Sequence, residues 1–412
     1  MSVTDTVPKL RFPEFEGEWG RYTVDDVLRR EGDPVEVKSD ELYRQIGVRS
    51  HGRGLFHKDA VTGADLGGKR VFHVVPNSFV VNIVFAWEQA VALITDAEKG
   101  FIASHRFPMY LEKDELSFLP YIREMFLRKR GKQLLELASP GGAGRNKTLG
   151  QQEFLKLKVI LPKREEQKKI AAFLGVVDAK IAALRARRAG LERYKRGLMQ
   201  ALFSQTLRFT KLDGTAFPDW EEKRLGELGA TYGGLSGKSG DDFGEGKPFI
   251  TYKQVFGSSG IDVRECAKVR LGAAERQNRV KAGDILFTTS SETPNEVGFA
   301  SVLVEDAGEL YLNSFCFGLR PNSLTNLKPE FSKHLFRSAE YRRAVFPLAQ
   351  GSTRYNLAKS SFVKLRLVIP HPDEQAKIAD ALSAMDAKIA AVGDQVTQME
   401  AFKKGLLQQM FV

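Results

Sequence analysis

Apolar residues in two long segments of this chain recur at alternating intervals of four and three. In the first they are Ile170, Leu174, Val177, Ile181, Leu184, Leu191, Leu198 and Leu202, with Arg188 and Lys195 filling the gaps. In the second they are Ile378, Leu382, Met385, Ile389, Val392, Val396, Met399, Leu406 and Met410, with Lys403 in the one gap. A heptad seam sustained this long predicts coiled-coil helices rather than ordinary amphipathic ones. Each would span roughly 57 Å at 1.5 Å per residue. Neither stripe can be covered by its own helix, so each needs a partner.

The two segments are one segment written twice. Residues 155–203 and 363–411 align without a gap at an offset of 208, with 21 of 49 positions identical. A repeat of that length is too long for a solenoid unit and means two similar halves. Each half opens on an aromatic-proline entry, Phe12-Pro13-Glu14-Phe15 or Phe217-Pro218-Asp219-Trp220. A body follows, then a β-like run ending in proline, Val159-Ile160-Leu161-Pro162 or Leu367-Val368-Ile369-Pro370, then the long helix. The expected division is a first domain over 1–162, a central helix over 163–206, a second domain over 207–370 and a C-terminal helix over 371–412.

The bodies read as mixed α/β. Strands are expected at Phe79–Val84, Phe101–Ala103, Ile285–Thr289 and Tyr311–Asn313, and helices at Leu119–Leu137 and Pro329–Ala349. Glycine-rich stretches around 47–68, 140–150 and 233–246 read as loops. The fold class is therefore α+β: two similar mixed α/β domains separated by two long antiparallel coiled-coil helices. The bodies resemble each other far less than the tails do, which suggests one scaffold presenting two recognition surfaces.

Charge indicates how the helices pair. Residues 163–196 hold eleven Lys/Arg and four Asp/Glu, whereas 371–404 hold four Lys and six Asp/Glu. The first helix should repel a copy of itself and accept the second, so the two are expected to pair within one chain. A two-fold axis across the helices makes that pairing antiparallel, with a body at each end of a rod. A parallel pairing would crowd the bodies together, and separate docking of each helix on another protein is the alternative to pairing.

The whole chain carries a formal charge of +11, which favours a polyanionic partner. No apolar run approaches the ~18 residues of a membrane span. Residues 1–20 show no secretory signal, so a cytoplasmic location is expected. Cys266 and Cys316 match no metal spacing and read as idle thiols.

Catalytic motifs are not evident. Gly233-Gly234-Leu235-Ser236-Gly237-Lys238-Ser239 resembles a phosphate-binding loop, but Tyr232 stands where the first Gly belongs. The six histidines fall in no metal-binding spacing, and no Gly-x-Ser-x-Gly elbow occurs. Asp284, after Gly283 and before an expected strand, reads as a turn residue. The chain reads as non-catalytic, with no cofactor of its own.

Basic and polar loops recur in both halves instead. Arg44, Gln45, Arg49, His51, Arg53 and Lys58 cluster among glycines in the first, joined by Arg145 and Lys147 before the tail. The second offers Lys238, Tyr252, Lys253, Ser290, Ser291, Arg354 and Asn356. Such side chains hydrogen-bond base edges and hold phosphates. Any one of them alone reads as a solvated loop residue. Together, on two related bodies, they read as a two-part reader of double-stranded DNA.

Several of these features carry a resemblance. Gly351-Ser352-Thr353-Arg354, the Ile369-Pro370…Asp373-Glu374-Gln375 entry to a long helix, its earlier copy Leu161-Pro162…Glu165-Glu166-Gln167, and the Lys/Arg-Gly-Leu-Leu/Met-Gln tails at 196–200 and 404–408 resemble the specificity subunits of Type I restriction-modification systems. The Gly-Asp-Ile-Leu-Phe strand entry is similar as well. The resemblance implies two target recognition domains that each read half of a bipartite site, with the helices as spacer. It implies two methyltransferase subunits and motor-nuclease subunits as partners, and S-adenosylmethionine, ATP and Mg2+ used by the complex. The first body has Gly-Ala-Gly-Arg at 142–145 where the second has Gly-Ser-Thr-Arg, which weakens transfer of that loop's role to Arg145. Two other readings stay open: a self-contained DNA methyltransferase or nuclease with an unfamiliar site, and a coiled-coil adaptor that does not touch DNA.

Overall fold

In the computed structural model, which describes residues 6–141 and 147–412, the chain divides into two units. One comprises residues 1–184 and 395–412; the other comprises 185–394. The central helix, Arg164–Phe203, and the C-terminal helix, Pro372–Gln409, are therefore each shared between the units.

Both bodies are built on one plan. In the first, the opening strand Gly20–Thr23 pairs antiparallel with the closing strand Lys158–Leu161. In the second, Glu221–Arg224 pairs in the same way with Arg366–Ile369. Each opening strand runs into one turn of helix, Val24–Val27 or Leu225–Leu228. Thr23 caps the first, and Asp26 reciprocates by accepting from the Thr23 amide.

A four-stranded antiparallel sheet follows in each body. Its order is Val91–Leu93, Phe79–Val81, Met109–Glu112, Leu28–Glu31 in the first, and Ala300–Val302, Ile285–Thr288, Cys316–Pro321, Gly229–Gly233 in the second. A second small sheet stands beside each. There Gln45 bridges Ile102 in parallel in the first body, and Phe249–Ile250 pair in parallel with Tyr311–Leu312 in the second. The Phe101 and Tyr311 segments thus hold corresponding places in the two bodies.

The expected strands are present but shorter. Phe79–Val84 stops at Val81, Ile285–Thr289 stops at Thr288, Phe101–Ala103 lies one residue later at Ile102–Ser104, and Tyr311–Asn313 stops at Leu312. Each expected body helix is two. Leu119–Leu127 and Lys129–Leu137 meet at Arg128, whose backbone is extended. Gly131 makes that corner close: a Cβ there would stand 2.2 Å from the Met125 carbonyl oxygen. Pro329–Leu335 and Ala339–Val345 are separated where the buried Ser338 caps the second helix, accepting from the Tyr341 amide. The glycine-rich stretches are also less irregular than expected. Residues 47–68 contain strands Leu55–His57 and Val61–Thr62 and the helical turn Gly63–Leu66, and Phe243–Ile250 is a strand.

The repeated Glu-Gln pair at the start of each long helix fixes the helix to its body. Gln167 is fully buried; its Nε2 donates to the Leu116 and Pro162 carbonyls, both at 2.9 Å, and its Oε1 accepts from the Phe118 amide at 2.8 Å. Gln375 repeats this with Asn326, Pro370 and Lys328 at 2.8, 2.9 and 2.9 Å. The buried Glu166 takes both ends of the Arg11 guanidinium, and Glu374 does the same with Arg208. Trp19 and Trp220 each directly precede the opening strand. The structural counterparts at the entries are thus Leu10-Arg11-Phe12 with Leu207-Arg208-Phe209, and Trp19 with Trp220. That corrects the pairing of Phe12–Phe15 with Phe217–Trp220.

The heptad seams are buried as expected, including Ile170, Leu174, Val177 and Ile181 on one helix and Ile378, Leu382, Met385 and Val392 on the other. The helices run antiparallel within each unit. In the first, Lys403 Nζ meets Asp178 at 2.8 Å and Glu124 at 3.5 Å. In the second, Lys195 Nζ meets Asp386 at 2.5 Å. The lysines that interrupt the seams thus find carboxylates on the facing helix. A phenylalanine set among aromatics stands at or just past the end of each helix: Phe411 stacks on Tyr121, and Phe203 packs against Trp220 and Phe331. Among the described residues, no helix is long and apolar enough to cross a membrane.

Candidate nucleic-acid interface

The bodies diverge at one point of the shared plan. Directly after the parallel pairing at Gln45, the first body forms a hairpin, Ile46–Val48 with Leu55–His57. After the same pairing at Ile250, the second forms a short helix, Tyr252–Gly257.

Sequence explains both choices. Gly47 lets the Phe56 ring lie directly across the hairpin, since a Cβ would stand 2.2 Å from that ring. At the tip, Gly52 takes φ +64 against Leu127, and the exposed His51 has φ 60. The tip is docked: His51 N–H donates to the Glu88 carbonyl at 2.7 Å and Gly52 N–H to that of Gln89 at 3.0 Å. In the second body Thr251 and Gln254 form a capping box that starts the helix. Arg337 closes its other end, donating to the carbonyls of Val255, Phe256 and Ser258 at 2.8, 3.0 and 2.5 Å. Burial lowers the Arg337 guanidinium to about 10.

The hairpin gathers most of the first body's expected contacts. Arg49, His51 and Arg53 are exposed at its tip. Arg49 donates across the hairpin to the Leu55 carbonyl at 2.6 Å and lies over Phe56. Arg44, Gln45 and Lys58 sit at its base, where Lys58 N–H donates to the Gln45 carbonyl and Arg44 lies 4.5 Å over Phe101. Lys147 is 5.7 Å over Trp87, in the turn against which the tip docks. Arg145 lies outside the described residues.

In the second body, Tyr252, Ser290, Ser291 and Arg354 line one pocket of about 340 Å³ with Glu292, Glu296 and Phe315. Arg354 is exposed, its guanidinium 5.1 Å over the Phe315 ring. Tyr252 O–H donates to the Ser290 carbonyl at 2.9 Å, and burial raises its pKa. Asn356 pairs with Ser290 in a short strand, and Lys253 is exposed on the helix beside Tyr252.

Three expected contacts stand differently. Ser290 and Ser291 are only 5% and 8% exposed, and Ser291 donates its hydroxyl to Glu296, so both shape the pocket wall. Lys238 is consumed within the fold: its side chain is 9% exposed and meets Glu275 at 2.6 Å. That bond is the main cause holding the Glu275 carboxyl down at about 2. The loop that mimics a phosphate site therefore keeps its lysine for a carboxylate. Asp284, expected in a turn, ties that turn to the sheet, accepting from Tyr232 at 2.6 Å, from Arg320 at 2.9 and 2.6 Å and from the Lys281 amide at 2.8 Å.

Sequence reasoning passed over Trp87, Phe315, Glu88 and Glu296. The aromatics lie under the cations, but Trp87 is far along the chain from Lys147 and Phe315 from Arg354, so the sequence carried no signal for either pair. Nothing in the sequence distinguishes the two glutamates from solvated acids.

Comparison with known proteins agrees with this architecture. The family model described as "Type I restriction modification DNA specificity domain" matches residues 81–193 and 218–399. The chain is 24% identical over 148 residues to the Type I restriction enzyme StySPI specificity subunit of Salmonella potsdam, covering 36% of this chain and 31% of that one. It is 22% identical over 262 residues to the MjaVIII specificity subunit of Methanocaldococcus jannaschii, covering 62% and 61%. The matches thus span about a third and three fifths of those relatives' lengths. In fold it is similar to the HsdS subunit from Thermoanaerobacter tengcongensis, with TM-score 0.51, 18% identity and 95% of each chain covered. It is similar also to the Type I system S subunit from M. genitalium, with TM-score 0.53, 16% identity and 98% and 99% covered. A chain solved in work on assembly and conformational transition of the type I R-M system gives TM-score 0.61 at 17% identity, with 95% and 97% covered. Twin bodies on one plan, the paired helices and the two matched stretches lead to one conclusion: this chain belongs to the family of Type I restriction modification DNA specificity domains.

Proposed function

We propose that this chain is the DNA sequence-recognition subunit of a Type I restriction-modification complex. Each unit reads one half of a bipartite double-stranded target, and the paired helices serve as spacer and as the docking surface for two methyltransferase subunits. Motor-nuclease subunits join them in the cytoplasm. The chemistry belongs to those partners, which use S-adenosylmethionine, ATP and Mg2+, and this chain supplies the address.

One observation carries the reading. A hairpin and a helix occupy the same point of a duplicated scaffold, each beside cations laid over aromatic rings. A duplicated frame with unlike contact surfaces suits two unlike half-sites. Base-edge hydrogen bonds would supply discrimination, at ~1–3 kcal/mol for each good bidentate pair. Phosphate contacts would supply salt-dependent affinity.

The test is single-molecule sequencing of host DNA for methyladenine with and without this gene. The expected result is a bipartite motif that vanishes with the gene. An unchanged methylation pattern overturns the reading. Incubating the purified chain alone with DNA, Mg2+ and S-adenosylmethionine is expected to give no turnover; turnover would favour a self-contained enzyme.

A further inference from the structure

Both bodies place a glutamate at the end of the 3₁₀ turn that links two strands of the four-stranded sheet. In the first the turn is Ala86–Glu88, and in the second it is Pro294–Glu296. A serine hydroxyl donates to Oε2 of each: Ser50 to Glu88 at 2.9 Å, and Ser291 to Glu296 at 2.6 Å. These serines are not counterparts. Ser50 comes from the hairpin tip, whereas Ser291 lies in the short strand before the turn. The same arrangement is therefore built twice from unlike loops. Both glutamates are half-buried, and the serine leaves Oε1 of each to accept a further bond.

A cation over an aromatic ring accompanies each carboxylate. Lys147 lies over Trp87, the neighbour of Glu88. Arg354 lies over Phe315, and both line the pocket with Glu296. A carboxylate adds nothing to phosphate binding, because the DNA backbone repels it. It gains from DNA only where a base offers a donor. In the major groove those donors are the exocyclic amino groups, N4 of cytosine and N6 of adenine.

We propose that Glu88 and Glu296 are specificity-determining residues, one in each unit, and that each accepts a hydrogen bond from the exocyclic amino group of a cytosine or adenine. Lys147 and Arg354 hold the adjoining phosphates. Guanine O6 and thymine O4 present acceptors to the carboxylate and are rejected, so each glutamate works as much by exclusion as by attraction. Ser50 and Ser291 are positioning residues that fix the carboxylate. This inference rests on the DNA-reading role proposed above.

The test is selection of bound duplexes from a random-sequence pool by the full-length chain, followed by sequencing. The variants are Glu88→Gln, Glu296→Gln, and the positioning variants Ser50→Ala and Ser291→Ala. The glutamine variants keep the shape and the serine bond. Each is expected to lose about tenfold of the exclusion of G and T at one position of one half-site, because the glutamine amide can donate to O6 or O4 where the carboxylate cannot. Glu88→Gln and Glu296→Gln should act on different half-sites. The serine variants should relax the same positions more weakly. Unchanged preferences at every position, with binding retained, overturn the inference and leave the DNA-reading role intact. A parent chain that enriches no sequence overturns both. Misfolding of a glutamine variant, judged by circular dichroism, passes the decision to its serine partner, whose unaltered preference would overturn the inference for that unit.

Discussion

Lys195 Nζ lies 2.5 Å from Asp386, and the residues 208 positions from each, Lys403 and Asp178, make the same contact at 2.8 Å. One ion pair, written once in the repeated segment, is thus realised twice with its members exchanged between helices. A parallel pairing could not give this, because each lysine would then face the wrong turn of its partner. The lysine side chains are 18% and 20% exposed, so the pairs are only partly wet. Lys195→Met is expected to destabilise the second unit by about 1 kcal/mol, near the upper end for a pair whose carboxylate is exposed. The exchange variant Lys195→Asp with Asp386→Lys should recover part of the loss. Chemical denaturation of the four members of the double-mutant cycle checks this, and strict additivity would refute the coupling.

Removing the buried amide at a helix start should cost more. Gln375→Leu leaves the Lys328 amide and the Asn326 and Pro370 carbonyls without their partner inside the protein. Stranded buried groups cost about 1–3 kcal/mol each where no water reaches them. A loss of about 3 kcal/mol is expected for Gln375→Leu, and a similar one for Gln167→Leu. Urea unfolding of the two variants measures it; a loss under about 1 kcal/mol would mean that the amides are not anchors.

His334 gives the second unit a pH response. It is buried on the helix Pro329–Leu335, with Ser383, Lys195, Asp386 and Lys333 around it. Burial, aided by Lys195, pushes its pKa down to about 4. The folded value lies below the unfolded value of about 6.5, so between them the unfolded chain holds the extra proton. Stability contributed by neutral His334 is present above about pH 6.5 and is lost as pH falls through about 4. His334→Asn should therefore show a smaller drop in urea midpoint between pH 7 and pH 4.5 than the parent chain. Equal drops would show that this histidine is not the responsive group.

Much of this architecture was legible in the sequence because its causes are local and periodic. The heptad seam predicts the long helices, and the ungapped 208-residue offset predicts the twin bodies. The helix breaks at Arg128 and Ser338 were not legible, because apolar spacing continues through both while packing bends the chain. The hairpin at Ile46–His57 was hidden in a glycine-rich stretch whose regularity depends on docking against Glu88 and Gln89. Lys238 misled because its partner, Glu275, is 37 residues away. No rule of composition could have located that pair.

Gly131 tests the corner between the two body helices of the first unit. Gly131→Ala would drive a Cβ to within 2.2 Å of the Met125 carbonyl oxygen, which cannot swing aside as a side chain could. A destabilisation of about 2 kcal/mol or more is expected from the forced backbone shift. Thermal unfolding of the variant measures it, and a change within 0.5 kcal/mol would show that the corner yields.

Arg49→Ala removes an exposed guanidinium from the hairpin tip, along with its bond to the Leu55 carbonyl and its packing over Phe56. On the proposed function, the variant should relax the half-site read by the first unit and leave the other unchanged. Methyladenine mapping in cells carrying the variant decides this, and an unaltered motif would remove Arg49 from the contact surface.

Each body enters and leaves through one antiparallel strand pair, Gly20–Thr23 with Lys158–Leu161 and Glu221–Arg224 with Arg366–Ile369. Such a doorway holds the two ends of its insert side by side, whatever lies between. Insertions and deletions in the intervening loops can then accumulate without transmitting strain to the helices beyond. The freedom of these surfaces to change, and the constancy of the frame that carries them, come from the same four residue pairs at each threshold.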